Sequence, residues 1–198
     1  RPESSWVVDR LHALGVDRVV MLTGDNERTA RAIGAAVGVD EVRASLLPEE
    51  KVAAVTALAS TTDGTVAMVG DGINDAPALA AADVGIAMGA AGTDTAIETA
   101  DVALMGADLR RLPYTFDLAG RASRTIRTNI GASLAVKALL AVGAPLGYVT
   151  VAMAVVVGDM GMSLGVTSNA LRLGNVEPAE PPIRRESESS SPDAPTRS

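Results

Sequence analysis

The sequence predicts an α/β domain built on a parallel sheet, followed by an α-helical hairpin of membrane composition. Three observations carry that expectation. Short apolar runs alternate with amphipathic helical stretches over residues 4–105, with short connections, which is the sequence form of a parallel sheet covered on both faces. The apolar, partly β-branched run Thr65-Val66-Ala67-Met68-Val69 leads directly into Gly70-Asp71-Gly72-Ile73-Asn74-Asp75-Ala76-Pro77. Open α/β sheets hold their ligands at such carboxyl ends of strands. Between Arg127 and Arg172 the only charged side chains are Lys137 and Asp159, a composition suited to lipid.

Ser4 or Ser5 is placed to cap a first helix with Trp6, Val7, Leu11 and Leu14 on one face, ended by Gly15. Trp6 is expected as a core anchor, and His12, the only histidine, lies toward the polar side. Val19-Val20-Met21-Leu22 reads as a buried strand that delivers Thr23-Gly24-Asp25-Asn26 at its carboxyl end. Residues 27–37 form the next helix, closed by Gly38. Val42-Arg43-Ala44 reads as a short strand. Pro48 opens a helix to about Ser60, with Glu49 and Glu50 in the first turn, where they suit the dipole, and Lys51 just behind. Asp75 is placed to cap a helix over residues 76–81, with Pro77 tolerated in its first turn. A strand at 84–88, a helix around 93–99 and a strand at 102–105 follow, so residues 1–112 make most of one domain.

Residues 113–128 read as a linker helix on which Arg121, Arg124 and Arg127 make a basic collar beside a membrane. Residues 129–174 form the hairpin: apolar segments 130–146 and 151–171, each about the ~20 residues a span needs, joined by Gly147-Tyr148-Val149-Thr150. Arg127 and Arg172 flank its outer ends while the turn has no charge, which puts both termini and the α/β domain in the cytoplasm. Residues 175–198, rich in Pro, Ser, Glu and Arg, read as a disordered tail. The chain has no Cys, which excludes disulfides, zinc–thiolate sites and thiol catalysis. Its net charge of −7 argues against nucleic acid as a partner.

Three pieces are expected to meet at the carboxyl edge of the sheet: Thr23 with Gly24 and Asp25, then Lys51, then Asp71, Asn74 and Asp75. A hydroxyl and backbone N–H groups hold phosphoryl oxygens, a lysine neutralises them, and two carboxylates on one loop suit Mg²⁺. The set describes a phosphoryl-transfer site that works by positioning and charge. It lacks a nucleophile: Asp9 lies within the first helix and Asp17 just precedes a strand, so neither sits at a strand end.

Thr23-Gly24-Asp25, Pro48-Glu49-Glu50-Lys51 and Gly70-Asp71-Gly72-Ile73-Asn74-Asp75-Ala76-Pro77 resemble the phosphorylation domain of P-type ATPases, of the haloacid-dehalogenase-like, Rossmann-like superfamily. Glu98-Thr99-Ala100-Asp101-Val102 and the hairpin resemble the heavy-metal class, and the likeness covers about residues 1–175. It implies Mg²⁺-dependent ATP hydrolysis through an aspartyl phosphate, coupled to moving a cation across the plasma membrane. By that likeness Thr23 and Lys51 contact the phosphoryl group, with Gly24 and Asp25 in the same loop. Asp71 holds Mg²⁺, and Asp75 and Asn74 complete the site. The family's Asp-Lys-Thr-Gly-Thr motif does not occur in this chain. The chain therefore looks like the carboxyl-terminal quarter of such a pump and is expected to form no phosphoenzyme alone. Its expected partner is the amino-terminal portion.

Lys137 and Asp159 lie at similar distances from the turn, roughly 14–15 Å at 1.5 Å per residue, near the bilayer midplane. The pattern by itself fits either an ion pair that locks two helices or an ion site. Asn129 and Lys137 in one helix with Asp159-Met160-Gly161 in the next resemble the zinc, cadmium and lead exporters. The resemblance implies that Asp159 binds the divalent ion and that Lys137 is a built-in counter-charge. Three rivals are a soluble phosphatase of the same superfamily, a non-catalytic membrane remnant that binds another chain, and a potassium or calcium pump of the wider family, which the Lys137 and Asp159 pairing disfavours.

Overall fold

The computed structural model describes residues 2–71, 74–89, 99–106 and 108–176. Gly72, Ile73, the predicted helix around 93–99 except Thr99, and the tail from residue 177 lie outside those residues. Helix α1 (Pro2–Ala13) begins earlier than predicted, so Ser4 and Ser5 are inside its first turns and do not cap it. Strand β1 (Val20–Leu22), helix α2 (Glu27–Val37) and strand β2 (Glu41–Arg43) follow. Helix α2 matches its predicted bounds because both ends are encoded locally. Asn26 Oδ1 accepts the Thr29 N–H at 3.0 Å, and Gly38 closes the helix at φ +83°, a conformation that glycine adopts freely. Helix α3 (Pro48–Thr61), strand β3 (Ala67–Gly70), helix α4 (Ala76–Ala80), strand β4 (Val84–Met88) and strand β5 (Val102–Leu104) complete the α/β part.

All strand pairs are parallel, as the sequence requires, but they form two sheets among the described residues: β1-β2, and β3-β4-β5. In the larger sheet side chains alternate between two cores. Ile86 faces Val7 and Leu11 of α1, with Trp6, Val69, Val102 and Leu104 packed around them, so Trp6 is the anchor the sequence predicts. Ala87 faces Leu79 of α4 on the opposite side. His12 ties α1 to the smaller sheet: its Nδ1 lies 2.8 Å from Val16 O and its Nε2 3.3 Å from Asp40 Oδ2.

Close packing of α4 on β4 depends on Gly85, which is buried; a Cβ there would lie 2.9 Å from the backbone oxygen of Leu79. Backbone can yield only by separating helix from strand. Gly85→Ala is therefore expected to destabilise the domain by about 1–3 kcal/mol, the usual cost of overpacking, read as a lower thermal unfolding midpoint of the full chain.

Helix α5 (Arg111–Gly143) is one unbroken rod that runs from the linker-helix residues directly into the first apolar segment. Pro113 is tolerated because it falls in the first turn, where its missing N–H costs no helical bond. Leu112 and Phe116 anchor this end in the α1 core. Just ahead, Arg110 donates Nε and Nη2 to Asp108 at 2.9 and 3.0 Å and holds that carboxyl below its usual value. The associated stability is present above the unfolded value of 3.8 and fades as pH falls through the folded one; solvent keeps it small, since the pair is about half exposed.

Among the described residues α5 alone is a single helix long and apolar enough to cross a membrane. Its antiparallel neighbour is divided into α6 (Val151–Val155), a π-helical segment (Val156–Gly161) and α7 (Met162–Leu171), each too short by itself. The seam between the two arms is marked by half-buried or buried residues at helical spacing. These are Asn129, Val136 and Leu140 on α5, against Gly158, Met162 and Asn169. On the other faces Ile130, Leu134, Leu139, Val156 and Leu164 are exposed. An apolar exterior of this extent suits lipid rather than water.

Candidate functional site

The carboxyl ends of β1 and β3 deliver the two acidic loops, and α3 delivers a cation to the second of them. After β1, the Thr23 N–H donates to Arg43 O at 3.0 Å and Thr23 O accepts the Leu46 N–H at 3.1 Å, so the strand pairing continues into the loop. Thr23 Oγ1 accepts the Asp25 N–H at 3.1 Å. That bond uses the hydroxyl only as an acceptor and leaves its proton for a ligand oxygen. Gly24 and Asp25 are exposed beside it. The loop after β2 braces the arrangement: the Ser45 N–H donates to Asp25 O at 2.8 Å from a left-handed backbone with φ +55°. Sequence reasoning missed Ser45, and no local signal marks it, because serine is uncommon in that conformation.

Lys51 lies one turn into α3, where Glu50 Oε2 accepts the Leu47 N–H at 2.8 Å and fixes the helix start. The Lys51 Nζ donates to Asp75 Oδ1 at 2.8 Å, and the two side chains are only 20% and 17% exposed. This pair joins α3 to the loop that follows β3. It also corrects one expectation. Asp75 occupies the position before α4, but its side chain makes no capping bond there. A charge-assisted bond to an ammonium outweighs one to a neutral N–H. The Asp75 carboxylate also rests against Gly70: a Cβ at Gly70 would sit 2.8 Å from Asp75 Cβ and 3.0 Å from its Oδ2. Close approach, rather than a special φ, is why glycine stands at that position.

Asp71 is exposed at the mouth of the loop, and its Oδ1 accepts the Asn74 N–H at 3.4 Å, so Asn74 contributes a backbone contact. The described residues contain no group of three His, Asp or Glu side chains able to enclose a metal. Two carboxylates on one open loop nevertheless suit Mg²⁺, which takes one or two protein carboxylates and keeps water or substrate oxygens for the rest. Asp71 leads that donor set, and Asp75 retains Oδ2 beyond the oxygen held by Lys51.

In the hairpin, Lys137 and Asp159 are both exposed, and no ion pair within 4 Å joins them, so the helix-locking ion pair is not formed. Two contacts fix the register of the arms. Asn169 Nδ2 donates to Asn129 Oδ1 at 2.8 Å, and a Cβ at Gly158 would lie 3.0 Å from Leu140 Cδ1. In that register Lys137 is level with Gly161, two residues from Asp159, an offset of about 3 Å along the axis. Each residue directly follows a seam residue, Val136 or Gly158. In antiparallel helices the residue after the seam turns to the same side of the pair, so both charges stand on one side of the hairpin. Asn169 is the second residue that sequence reading missed. The available signal was a polar side chain nearly as far from the turn as Asn129.

The model of haloacid dehalogenase-like hydrolases matches residues 1–83. The chain is 52% identical over 177 residues to a probable cadmium-transporting ATPase of Listeria monocytogenes, covering 89% of this chain and 25% of that protein. It is 51% identical over 174 residues to a manganese-exporting P-type ATPase of Mycobacterium leprae, covering 87% and 24%. A crystal structure of a zinc-transporting PIB-type ATPase in its E2.Pi state superposes with a TM-score of 0.78 at 48% identity, over 87% of this chain and 28% of that one. The chain thus spans about a quarter of the length of the curated relatives it matches.

Proposed function

The chain is homologous over 89% of its length to heavy-metal-transporting P-type ATPases of the cadmium and zinc class, and from that premise we propose that it is one portion of an ATP-driven pump for divalent metal ions. The observation that carries the phosphoryl half of this reading is the Lys51–Asp75 pair at 2.8 Å, which joins the start of α3 to the loop after β3. It supports one pocket made from pieces far apart in sequence. Thr23 donates its hydroxyl proton to a phosphoryl oxygen, Lys51 places a positive charge on the same group, and Asp75 holds that ammonium in position. Asn74 shapes the loop around Asp71. Mg²⁺, when held by Asp71 with Asp75, supplies further charge neutralisation for phosphoryl transfer from ATP.

The nucleophile comes from outside this chain. Strands β1 and β3 deliver Thr23 and Asp71, yet each has a single strand partner among the described residues and each is only half-buried. A parallel strand between them would join the two sheets and bring its own carboxyl end beside Thr23 and Asp71. We assign that place to the strand bearing the phosphorylated Asp, in the amino-terminal portion of the pump.

Asp159 is the transported-ion ligand and Lys137 its counter-charge, in a hairpin that crosses the membrane with both ends cytoplasmic. The shared side and near-equal level of the two groups support this reading, as does the apolar exterior around them. That exterior also disfavours a soluble phosphatase. The ion is zinc or cadmium, lead being a third member of the same class; relatives named for manganese make Mn²⁺ the competing choice. The test joins this chain to the remainder of such a pump and measures Mg²⁺-dependent ATP hydrolysis in vesicles with Zn²⁺, Cd²⁺, Pb²⁺ or Mn²⁺. Stimulation by Zn²⁺ or Cd²⁺ at least tenfold more sensitive than by Mn²⁺ is expected. Stimulation by Mn²⁺ alone would reassign the ion, and hydrolysis indifferent to all four would remove the pump reading.

A further inference from the structure

Among the described residues the Asn129–Asn169 hydrogen bond is the one side-chain hydrogen bond between the two arms of the hairpin, and it spans 40 positions of sequence. Both residues are half-buried on the seam. The bond sets the same register as the Leu140–Gly158 contact farther along, so two separated points agree on how the arms align. Packing by itself fixes this register weakly. The seam between those points consists of small or flexible residues such as Ser133, Val136, Met162 and Val166, which could repack one turn away, about 5.4 Å along the axis. A displacement by one turn parts the amides: Asn129 would then stand opposite Gly165 or Leu173, with its side-chain polar atoms unpaired, while Asn169 would meet only the hydroxyl of Thr125 or Ser133.

We infer that Asn129 and Asn169 are positioning residues for the ion site: their hydrogen bond locks the sliding register of the hairpin and thereby keeps Lys137 and Asp159 at one level. Neither amide touches the ion. A slip of one turn would change the axial offset of the two charged groups from about 3 Å to about 8 Å or to the opposite sense. The inference rests on Asp159 being the ion ligand, and its test separates the two ideas.

In the complete pump, Asn169→Leu removes the donor and is expected to raise the half-saturating Zn²⁺ concentration about 3- to 30-fold, the range for one interhelical hydrogen bond in lipid, with maximal turnover changed less than about twofold. Asn129→Asp keeps an acceptor oxygen in the same place and is expected to stay within about threefold of the parent. Register is read independently on the full 198-residue chain, which has no native cysteine. The pair Val136→Cys with Met162→Cys, level in the observed register, is expected to form a disulfide in the parent. Adding Asn169→Leu should weaken it in favour of Val136→Cys with Val166→Cys, one turn away. An unchanged disulfide pattern overturns the inference, and so does a shifted pattern with unchanged Zn²⁺ saturation. Failure of the underlying ion-site reading shows differently, as metal stimulation that survives Asp159→Ala whatever the disulfides report.

Discussion

Asp75→Asn in the complete pump is expected to lower ATP turnover by about 10²- to 10³-fold, the usual scale for losing one preorganised electrostatic element at a reacting phosphoryl group. Asn matches Asp in size, so the contact with Gly70 survives and little refolding is required. What disappears is the negative charge 2.8 Å from Lys51 Nζ. With that partner gone, a largely buried ammonium has no fixed position, and its charge no longer points reliably at the phosphoryl oxygens. Lys51→Met, which removes the cation but keeps most of the stem, should cost a similar factor. The double variant should cost little more than either single one, because both changes disable the same unit. Steady-state hydrolysis and single-turnover phosphorylation check the expectation. Turnover within threefold of the parent, or losses in the two single variants that simply multiply, would separate Lys51 and Asp75 from the chemistry.

Asp159→Ala is expected to abolish metal-stimulated hydrolysis while leaving membrane insertion intact. The carboxylate is exposed on the side of the hairpin that also bears Lys137, and no other acid occurs between Arg127 and Arg172. Removing it leaves this hairpin without an anionic ligand, whereas losing a charge from an apolar segment favours insertion. Lys137→Ala should act differently. It removes the counter-charge, so metal is expected to bind more tightly and leave more slowly, with maximal turnover and the half-saturating metal concentration both falling. Metal-binding and single-turnover release measurements on vesicles distinguish the two. Retained Zn²⁺ stimulation in Asp159→Ala would refute the ion-site assignment.

Local chemistry made much of this fold legible in the sequence. The Asn26 cap and the Gly38 terminus define α2 without help from the rest of the chain, and β4 matches its expected bounds because a short apolar run between turn residues has few alternatives. The candidate site was legible for a related reason: each part sits where a strand or helix begins or ends. Long-range competition was not legible. Asp75 looks like a cap when only its neighbours are read, and the better partner, Lys51, stands 24 positions earlier. Ser45 supports the Thr23 loop by donating both its N–H, at 2.8 Å, and more weakly its hydroxyl, at 3.5 Å, to Asp25 O, and that partner 20 positions earlier is invisible to a local reading. The division of the strands into two sheets was equally hidden, since strand propensity says nothing about which edges find partners.

Helix α5 has a mechanical consequence. Its first turns, Pro113 included, are gripped by Leu112 and Phe116 in the α1 core of the α/β domain, and no further proline and no π segment interrupts it before Gly143. Lys137 therefore rides near the far end of a stiff arm, roughly 39 Å from Arg111 at 1.5 Å per residue. Pivoting that arm by about 5° at the gripped end sweeps Lys137 through about 3 Å. That displacement is perpendicular to the helix, so a small rotation of the domain carries the hairpin sideways by several ångströms without bending any secondary structure, while the seam keeps Lys137 and Asp159 at their axial level.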